Sequence, residues 1–325
     1  MRTLDEALEI SQSFDKGKSD YRLPANQIGY DNGAMSIPLT LPNGGAIVGH
    51  DRATFEPDAL SQACSLLSIP FPYISRCSAE LQSLNMNYWQ KRLRGRQSDT
   101  WFIRGYSERG GLSVRAVLSG EYRAYSNSTM IETAKKFMQA SELHYQIIRG
   151  YVSRDAIYLK LSVANVDNNY AVGVVLKHGE TGNYQISVAP FIQRHSCTNS
   201  IVFSEGGWNH RHRWASEAWL EATVLEKMSD AFRVTPKIHE QMVNAAALRI
   251  PRFGDTVRDI CKANGWSYNI VDNVMQGSEG QPTVAGLVNG LSYSAHATPG
   301  LEIKDQIRLE EMAGAVLMGT QKLAR

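Results

Sequence analysis

The chain has 325 residues, a formal net charge of +2, and 20% charged residues. A net charge this close to zero excludes a global basic field that would draw the protein onto nucleic acid or an anionic membrane, so any such binding must come from local clusters of cations. The hydrophobic content of 43% is ordinary for a globular protein and excludes wholesale disorder.

The apolar runs, the N-terminal segment and the cysteines together predict a cytoplasmic protein with no membrane attachment. No apolar run approaches the ~20 residues that cross a bilayer. The first fourteen residues, MRTLDEALEISQSF, are typical of an acidic amphipathic helix and lack the features of a signal peptide. The four cysteines are widely spaced and form no CxxC pair, so we expect them to be reduced.

The first hundred residues mix turn formers, a hairpin and two helices. Residues 21–34 are rich in turn formers and predict an irregular arm, and residues 35–50 predict a hairpin that turns at Asn43-Gly44. A helical stripe begins at Leu60. A second helix, capped by Ser78, carries three apolar residues on one face, namely Leu81, Leu84 and Tyr88.

The pattern then changes to a period of two, which is typical of half-buried antiparallel strands. Three hairpins are predicted, at 101–106 with 112–119, at 145–152 with 156–164, and at 170–176 with 183–192. In the first hairpin one face is predicted to hold Leu112, Val114, Ala116 and Leu118. Pro190 suggests a bulge or a sheet edge in the last hairpin. A helix is predicted over 128–140.

The rest of the chain predicts helices, over 215–232, 236–248, 253–264 and 303–323. The expected fold is therefore α+β, with an antiparallel sheet of about six strands in the middle of the chain and helix-rich ends. We expect one compact unit made of an N-terminal arm, hairpin and helices (1–98), a sheet core with one helix (99–204) and a C-terminal helical region (205–325).

Four segments, in order, resemble the phage/plasmid-like family known as domain of unknown function 932. They are LSQACSLLSIPFPYISRCSAELQSLNMNYW (60–89), VRAVLSGEYRAYSNSTMIETA (114–134), VAPFIQRHSCTNSIVF (188–203) and VAGLVNGLSYSAHAT (284–298). The family's usual glycine after Cys-Thr-Asn is Ser200 here. The resemblance implies a phage or mobile-element protein in the cytoplasm of a bacterial host, and it supplies no reaction.

A basic and aromatic stretch at 88–115 is the first candidate site. Cations neutralise phosphates, and aromatic rings stack on the bases of single strands. The residues predicted to bind nucleic acid here are Trp89, Lys91, Arg92, Arg94, Arg96 and Arg115. The alternative is a solvated helix end, where cations complement the helix dipole, with the tryptophans in the core.

A second candidate lies at 205–214, where cations, imidazoles and indoles alternate. Its predicted nucleic-acid contacts are Trp208, His210, Arg211, Arg213 and Trp214. In an extended segment the two arginines would share one face and His210 and His212 the other. The alternative is a loop that packs its tryptophans onto the sheet.

The segment also permits a metal site. His195, Cys197, His210 and His212 offer three imidazoles and a thiolate, which are ligands that zinc accepts. Their spacing matches no zinc finger, so the favoured prediction is that the protein holds no metal and no cofactor.

A third candidate is Tyr122-Arg123, which lies between a strand and a helix and could contact a ligand at the helix N-terminus. The favoured alternative is simple helix capping by Asn127 or Ser128. The chain contains no GxGxxG, phosphate-loop, GxSxG or HExxH motif, so no catalytic residues are assigned.

These observations predict a homo-oligomeric protein that binds nucleic acid without sequence specificity, with single-stranded DNA as the expected partner, in annealing, protection or recombination. The alternative is a phage assembly or host-takeover protein that binds other proteins through exposed aromatic anchors.

Overall fold

The computed structural model describes residues 1, 3–40, 47–92, 99–108, 111–165, 170–194, 200–203 and 207–319. The predicted α+β class is confirmed, with one difference in the strands. Where one antiparallel sheet was expected, the described residues form two six-stranded sheets, and one of them is mixed.

The first sheet is built largely from the N-terminal third of the chain. Its strands are β1 (Lys18–Pro24), β2 (Gly29–Asp31), β3 (Ala34–Thr40), β4 (Ile47–Phe55), β5 (Thr100–Glu108) and β6 (Gly111–Ser119), in the order β1-β5-β6-β4-β3-β2. Strands β4 and β6 are parallel and the other pairs are antiparallel. The predicted strands β3 and β4 are confirmed, while their turn at Asn43-Gly44 lies outside the described residues.

Residues 21–34, expected to be an irregular arm, instead contribute to this sheet. Strand β1 pairs with β5 along its whole length, from Lys18 opposite Tyr106 to Pro24 opposite Thr100. The partner strand is about eighty residues away in sequence, so local turn propensities gave no sign of it.

A β-bulge changes which face of β6 is buried. The register shifts at Arg104 and Gly105, so Ala116 and Val114 face them and Arg115 is the extra residue. Val114 and Val117 therefore both pack in the core beneath this sheet. The predicted alternation of Leu112, Val114, Ala116 and Leu118 on one face is wrong beyond Val114.

The second sheet follows the predicted hairpins. Its strands are β7 (Gln146–Val152), β8 (Ala156–Asn165), β9 (Tyr170–Gly179), β10 (Ile186–Arg194), β11 (Ser200–Val202) and β12 (Trp208–His210). The order is β11-β10-β9-β8-β7, with β12 also on β10, and every pair is antiparallel. Residues 186–188 of β10 pair with β12, and residues 191–193 pair with β11. Pro190 lies between these two stretches, so neither pairing needs the N–H that proline lacks.

The helices cover both faces of the second sheet and one face of the first. They are α1 (Leu4–Asp15), α2 (Pro57–Leu66), α3 (Phe71–Ile74), α4 (Ala79–Lys91), α5 (Asn127–Ala140), α6 (Glu217–Arg233), α7 (Thr235–Ala245), α8 (Phe253–Ala263), α9 (Tyr268–Gly277), α10 (Val284–Ala297) and α11 (Ile303–Leu317). Within the described part of the chain, none of these helices has the length and apolar character needed to span a membrane.

Three hydrophobic clusters match these layers. Helices α2 to α4 pack on the first sheet, α1, α5 and α6 pack on one face of the second, and α7 to α11 pack on the other. The uncovered face of the first sheet receives the β7–β8 and β9–β10 turns of the second. At Gly182 (φ 79°) a Cβ atom would lie 2.8 Å from Leu118, so this turn needs glycine to dock.

Candidate nucleic-acid interface

Two of the three predicted segments meet at the edge where the sheets join. Tyr122 and Arg213 form an isolated antiparallel bridge, and the Arg123 amide donates to the His212 carbonyl at 2.8 Å. The residues around 122 and those around 212 are about ninety apart in sequence. The bridge makes them one surface, which we call the arginine surface, formed by residues 121–123 and 211–214.

Tyr122 anchors this surface to the core. Its buried ring stacks on Phe102 on one side (5.1 Å between centroids) and on His212 on the other (4.9 Å). Its hydroxyl donates to the Glu180 carbonyl at 2.8 Å. Burial holds the pKa of Tyr122 well above its ordinary value, so this hydroxyl remains a donor at physiological pH.

Four guanidinium groups gather around the bridge. Arg123, Arg211 and Arg213 are exposed, and Arg22 from β1 donates to the carbonyls of Gly120 and Tyr122 at 3.0 and 2.7 Å. Burial, and then the positive charge of Arg123, lower the pKa of Arg22. Arg213 lies 3.8 Å from Glu121.

Two adjoining clefts open beside this surface, with volumes of about 370 and 430 Å³. Both are lined by Ser119 and Arg213, so they adjoin at these two residues, and together we call them the groove. The first is further lined by Leu118, Tyr122, Gly182, Asn183, Tyr184, Gln185, Arg211 and His212. The second is further lined by Leu66, Asp99, Thr100, Trp101, Gly120 and Glu121.

Two exposed aromatic rings lie in or near the arginine surface, one of them lining a cleft. Tyr184 lines the first cleft and is 38% exposed, while Trp214 follows Arg213 and is 78% exposed. Trp214 also has a positive φ of 62°, a conformation that a bulky side chain rarely adopts. Trp208 is less available, because it is half-buried and stacks on His210 at 5.6 Å.

A buried ionic cluster supports the groove from below. The Glu180 carboxylate accepts from Lys18 at 2.7 Å, from Arg104 at 3.1 Å and from the Asn127 amide at 2.7 Å. Arg104 also makes two bonds to Asp20. The cluster links β1, β5, the start of α5 and the β9–β10 turn, so it fixes the relative position of the two sheets.

Two histidines lie between this cluster and the groove. The rings of His178 and His212 are 4.9 Å apart, and His178 Nδ1 is 2.6 Å from Asn127 Oδ1. Burial lowers the pKa of His212 to about 4 and holds that of His178 well below its ordinary value. Both rings are therefore neutral at pH 7, and their buried Nε2 atoms have no hydrogen-bond partner among the protein atoms of the described residues.

The histidines of the metal hypothesis lie in different surroundings. His210 stacks on Trp208 and its Nε2 lies 3.1 Å from the Arg213 carbonyl, whereas His212 packs against Tyr122. His195 and Cys197 lie outside the described residues. Within the described ranges, no group of three or more His, Cys, Asp or Glu side chains could hold a metal ion.

The backbone bends at 211–213, where the Arg213 amide donates to the Arg211 carbonyl at 2.7 Å, yet His212 and the two arginines lie on opposite sides, as predicted. His212 turns into the core while Arg211 and Arg213 both remain exposed. The helix that follows Tyr122-Arg123 begins with Ser126 as its cap, one residue before the expected Asn127 or Ser128.

Arg115, predicted to contact phosphate, lies away from solvent. Its side chain is fully buried, and it bonds Asp155 at 2.6 Å and the Arg154 carbonyl. The β-bulge directs it toward the β7–β8 turn. Arg115 therefore connects the two sheets and is not part of the groove.

A short chain of hydrogen bonds connects the basic end of α4 to the second cleft. The Gln90 side chain bonds the Ala25 carbonyl, and the Ala25 amide donates to Asp99, which lines that cleft. Lys91 and Arg92 are exposed at this end, and Trp89 is 40% exposed. Arg94 and Arg96 lie outside the described residues.

Sequence reasoning missed Arg22, Tyr184 and Glu180. Arg22 belongs to a strand that its local sequence did not predict, and the other two lie in or next to a hairpin turn, KHGETGNY, that looked ordinary. Their roles depend on how that turn docks between the two sheets, and a local sequence pattern cannot predict this docking. Comparison of the chain with protein-family models, curated proteins and solved structures returned no match.

Proposed function

We propose that this protein binds single-stranded nucleic acid without sequence specificity, along the groove beside the arginine surface. The observation that carries the proposal is the bridge between Tyr122 and Arg213, which places Arg211 and Arg213, both lining the clefts, next to Arg123. Among the described residues, Arg123 and Arg211 have no carboxylate within ion-pair distance, so their charges are available to phosphates.

The chemistry of the groove suits a single strand. Guanidinium groups neutralise the backbone, while Tyr184 and Trp214 offer ring faces to bases, and stacking is tolerant of sequence because every base has a π-face. The binding involves no bond chemistry.

Salt dependence gives the first test. Each phosphate contact to a single strand contributes about −0.7 to the slope of log K against log salt, so four arginine contacts predict a slope of about −3. Fluorescence anisotropy with a labelled thymidine oligonucleotide, titrated from low to moderate salt, measures it. No binding at low salt would overturn the proposal.

A pair of double variants locates the site. Arg123→Ala with Arg211→Ala should weaken binding and reduce the salt slope by about 1.4, because two phosphate contacts are lost. Arg233→Ala with Arg252→Ala removes the same charge from exposed positions outside the groove and should leave the slope unchanged. Equal losses in both double variants would show that only net charge matters.

A second candidate function, protein–protein association, is favoured by a different feature. The outer face of α4 exposes Leu84 and Tyr88 to 68% and 48%, and aromatic residues are common interface anchors. Replacing Arg94 and Arg96 together by Ala separates the two functions at this end of the molecule; Arg92 is kept, because its guanidinium stacks on the Tyr88 ring of the apolar face at 4.4 Å. The change should weaken nucleic-acid binding if the basic helix end extends the groove, and spare association through the apolar face.

A further inference from the structure

Helix α4 reverses the usual arrangement of a surface helix, because its mainly polar face packs on the protein and its apolar face is exposed. Apart from Met86, the side chains that it buries or half-buries, against β2 and the segment 25–28, are polar, while Leu81, Leu84 and Tyr88 face solvent. Leu81, Leu84 and Tyr88 are 41%, 68% and 48% exposed. At 3.6 residues per turn these three positions fall within about 60° of one another, so they form one continuous stripe.

Hydrogen bonds lock the helix in this orientation. Asn87 bonds both the amide and the carbonyl of Tyr30, and Ser83 accepts from the Gly33 amide at 2.8 Å. Gln90 donates to the carbonyls of Ala25 and Ile28. Rotating α4 to bury Leu84 would leave these backbone groups unpaired, which costs far more than an exposed leucine. The apolar stripe is therefore a fixed feature of the surface.

We propose that this stripe is a homodimer interface, in which α4 packs antiparallel against α4 of a second copy about a two-fold axis near Leu84. The proposal goes beyond nucleic-acid binding and names the surface of self-association. A two-fold axis at this position brings Leu84 against Leu84 of the partner subunit and Leu81 near Tyr88 of the partner subunit. Interfaces of this kind are isologous, so one self-complementary patch is sufficient.

The charges at the two ends of α4 favour the antiparallel arrangement. Glu80 lies in the first turn and Lys91 in the last, and both fall on the same flank of the stripe, beside Leu84. In an antiparallel pair, flanks of the same kind adjoin, so Glu80 lies next to Lys91 of the partner subunit twice per dimer. Antiparallel packing also opposes the two helix dipoles favourably.

The size of the stripe sets the expected strength. A helix of 13 residues is about 20 Å long, and Tyr73 extends the patch through its hydroxyl, 3.4 Å from Asn85. Stable interfaces use roughly 20–30 residues a side, more than this patch supplies. We therefore expect a weak, concentration-dependent dimer.

Sedimentation velocity of the full chain over a wide concentration range tests the proposal. The wild type should shift from monomer to dimer, and Leu84→Glu should raise Kd at least ~100-fold, because two carboxylates would face each other on the axis. Val243→Glu changes an apolar residue of similar exposure (60%) on α7 and should leave Kd unchanged. A wild type that stays monomeric, or equal effects of both variants, would overturn it.

Charge reversal tests the orientation with variants that keep the apolar stripe. Glu80→Lys and Lys91→Glu should each raise Kd about tenfold, since each places like charges together at two symmetric positions. The double variant Glu80→Lys/Lys91→Glu should restore the wild-type Kd. Circular dichroism checks that each variant is folded. Failure of the double variant to recover would rule out antiparallel pairing, and a wild-type monomer that instead binds lipid vesicles would assign the stripe to a membrane surface.

Discussion

The exposed tryptophan of the arginine surface combines two unusual properties at one residue. Trp214 is 78% exposed and has a positive φ of 62°, which costs a residue with a Cβ atom about 1–2 kcal/mol. Solvent exposure of an indole gains nothing for folding either. Strain and exposure at the same residue, next to Arg213, agree with a role in contacting a ligand.

Two substitutions separate the backbone strain at Trp214 from its ring. Both Trp214→Gly and Trp214→Ala should weaken binding of a thymidine oligonucleotide about 5- to 150-fold, because stacking contributes about 1–3 kcal/mol per base. Only Trp214→Gly relieves the positive φ, so we expect it to be the more stable of the two by roughly 1 kcal/mol. Anisotropy and thermal unfolding measure the two effects. Unchanged binding in both variants would remove Trp214 from the interface.

At the scale of single elements, the sequence predicted the helices and strand pairs that depend on contacts between residues close together in the chain. The hairpins β5–β6, β7–β8 and β9–β10 and the helix α5 follow from local alternation, turns and periodicity. Strand β1 and the parallel pairing of β4 with β6 depend on distant partners and were missed. For α4 the shared face of Leu84 was predictable, but which face is covered depends on what lies beside it.

The residues of the candidate site also fall into those that the sequence could predict and those that depend on distant contacts. Arg211, Arg213 and Trp214 could be predicted because cations and aromatic residues are concentrated in a few positions. Arg115 looked equivalent in sequence, yet a one-residue bulge turns it into the core. Residues that matter only after the sheets dock, such as Glu180, carry no local pattern.

The β9–β10 turn provides the next prediction, because it holds the two sheets together through Glu180. Glu180→Gln leaves Lys18 and Arg104 with one buried anionic partner fewer, and breaking such a pair costs about 3–5 kcal/mol. Glu226→Gln removes an exposed ion pair with Lys227 and should cost less than about 1 kcal/mol. Urea unfolding at pH 7 measures both. Equal, small losses would show that Glu180 does not hold the sheets together.

At the scale of the whole molecule, a second buried charge cluster attaches the C-terminal helices to the second sheet. Glu310 of α11 is fully buried and pairs with Lys160 of β8 at 2.6 Å, while Tyr158 donates to it at 2.9 Å. Gly314, one turn along, lets α11 approach so closely that a Cβ atom would lie 1.9 Å from the Val202 carbonyl. Charge pairing and close packing therefore act on the same helix.

This cluster predicts a specific loss of stability in acid. Burial alone would raise the pKa of Glu310, but the charge of Lys160 and the His296 ring, whose Nε2 lies 3.1 Å from the carboxylate, outweigh it and lower the pKa to about 2. A carboxylate with a depressed pKa stabilises the fold above its unfolded value of 4.5, and the contribution disappears as the pH falls toward 2. At ~1.4 kcal/mol per unit, about 3 kcal/mol is lost over this window.

The paired substitution Lys160→Met/Glu310→Met isolates that contribution. Glu310→Gln alone should lower the free energy of unfolding by about 3–5 kcal/mol at pH 7, because it leaves the Lys160 ammonium buried without its partner, whereas the pair of methionines should recover most of that loss. Between pH 4.5 and 2, the free energy of unfolding of the double variant should fall by about 3 kcal/mol less than that of the wild type. Glu311→Gln, on the same helix but 44% exposed, should keep the wild-type profile. Denaturant unfolding at pH 7, 4.5 and 2 measures these differences, and a double variant with the wild-type acid profile would mean that other carboxylates govern the unfolding.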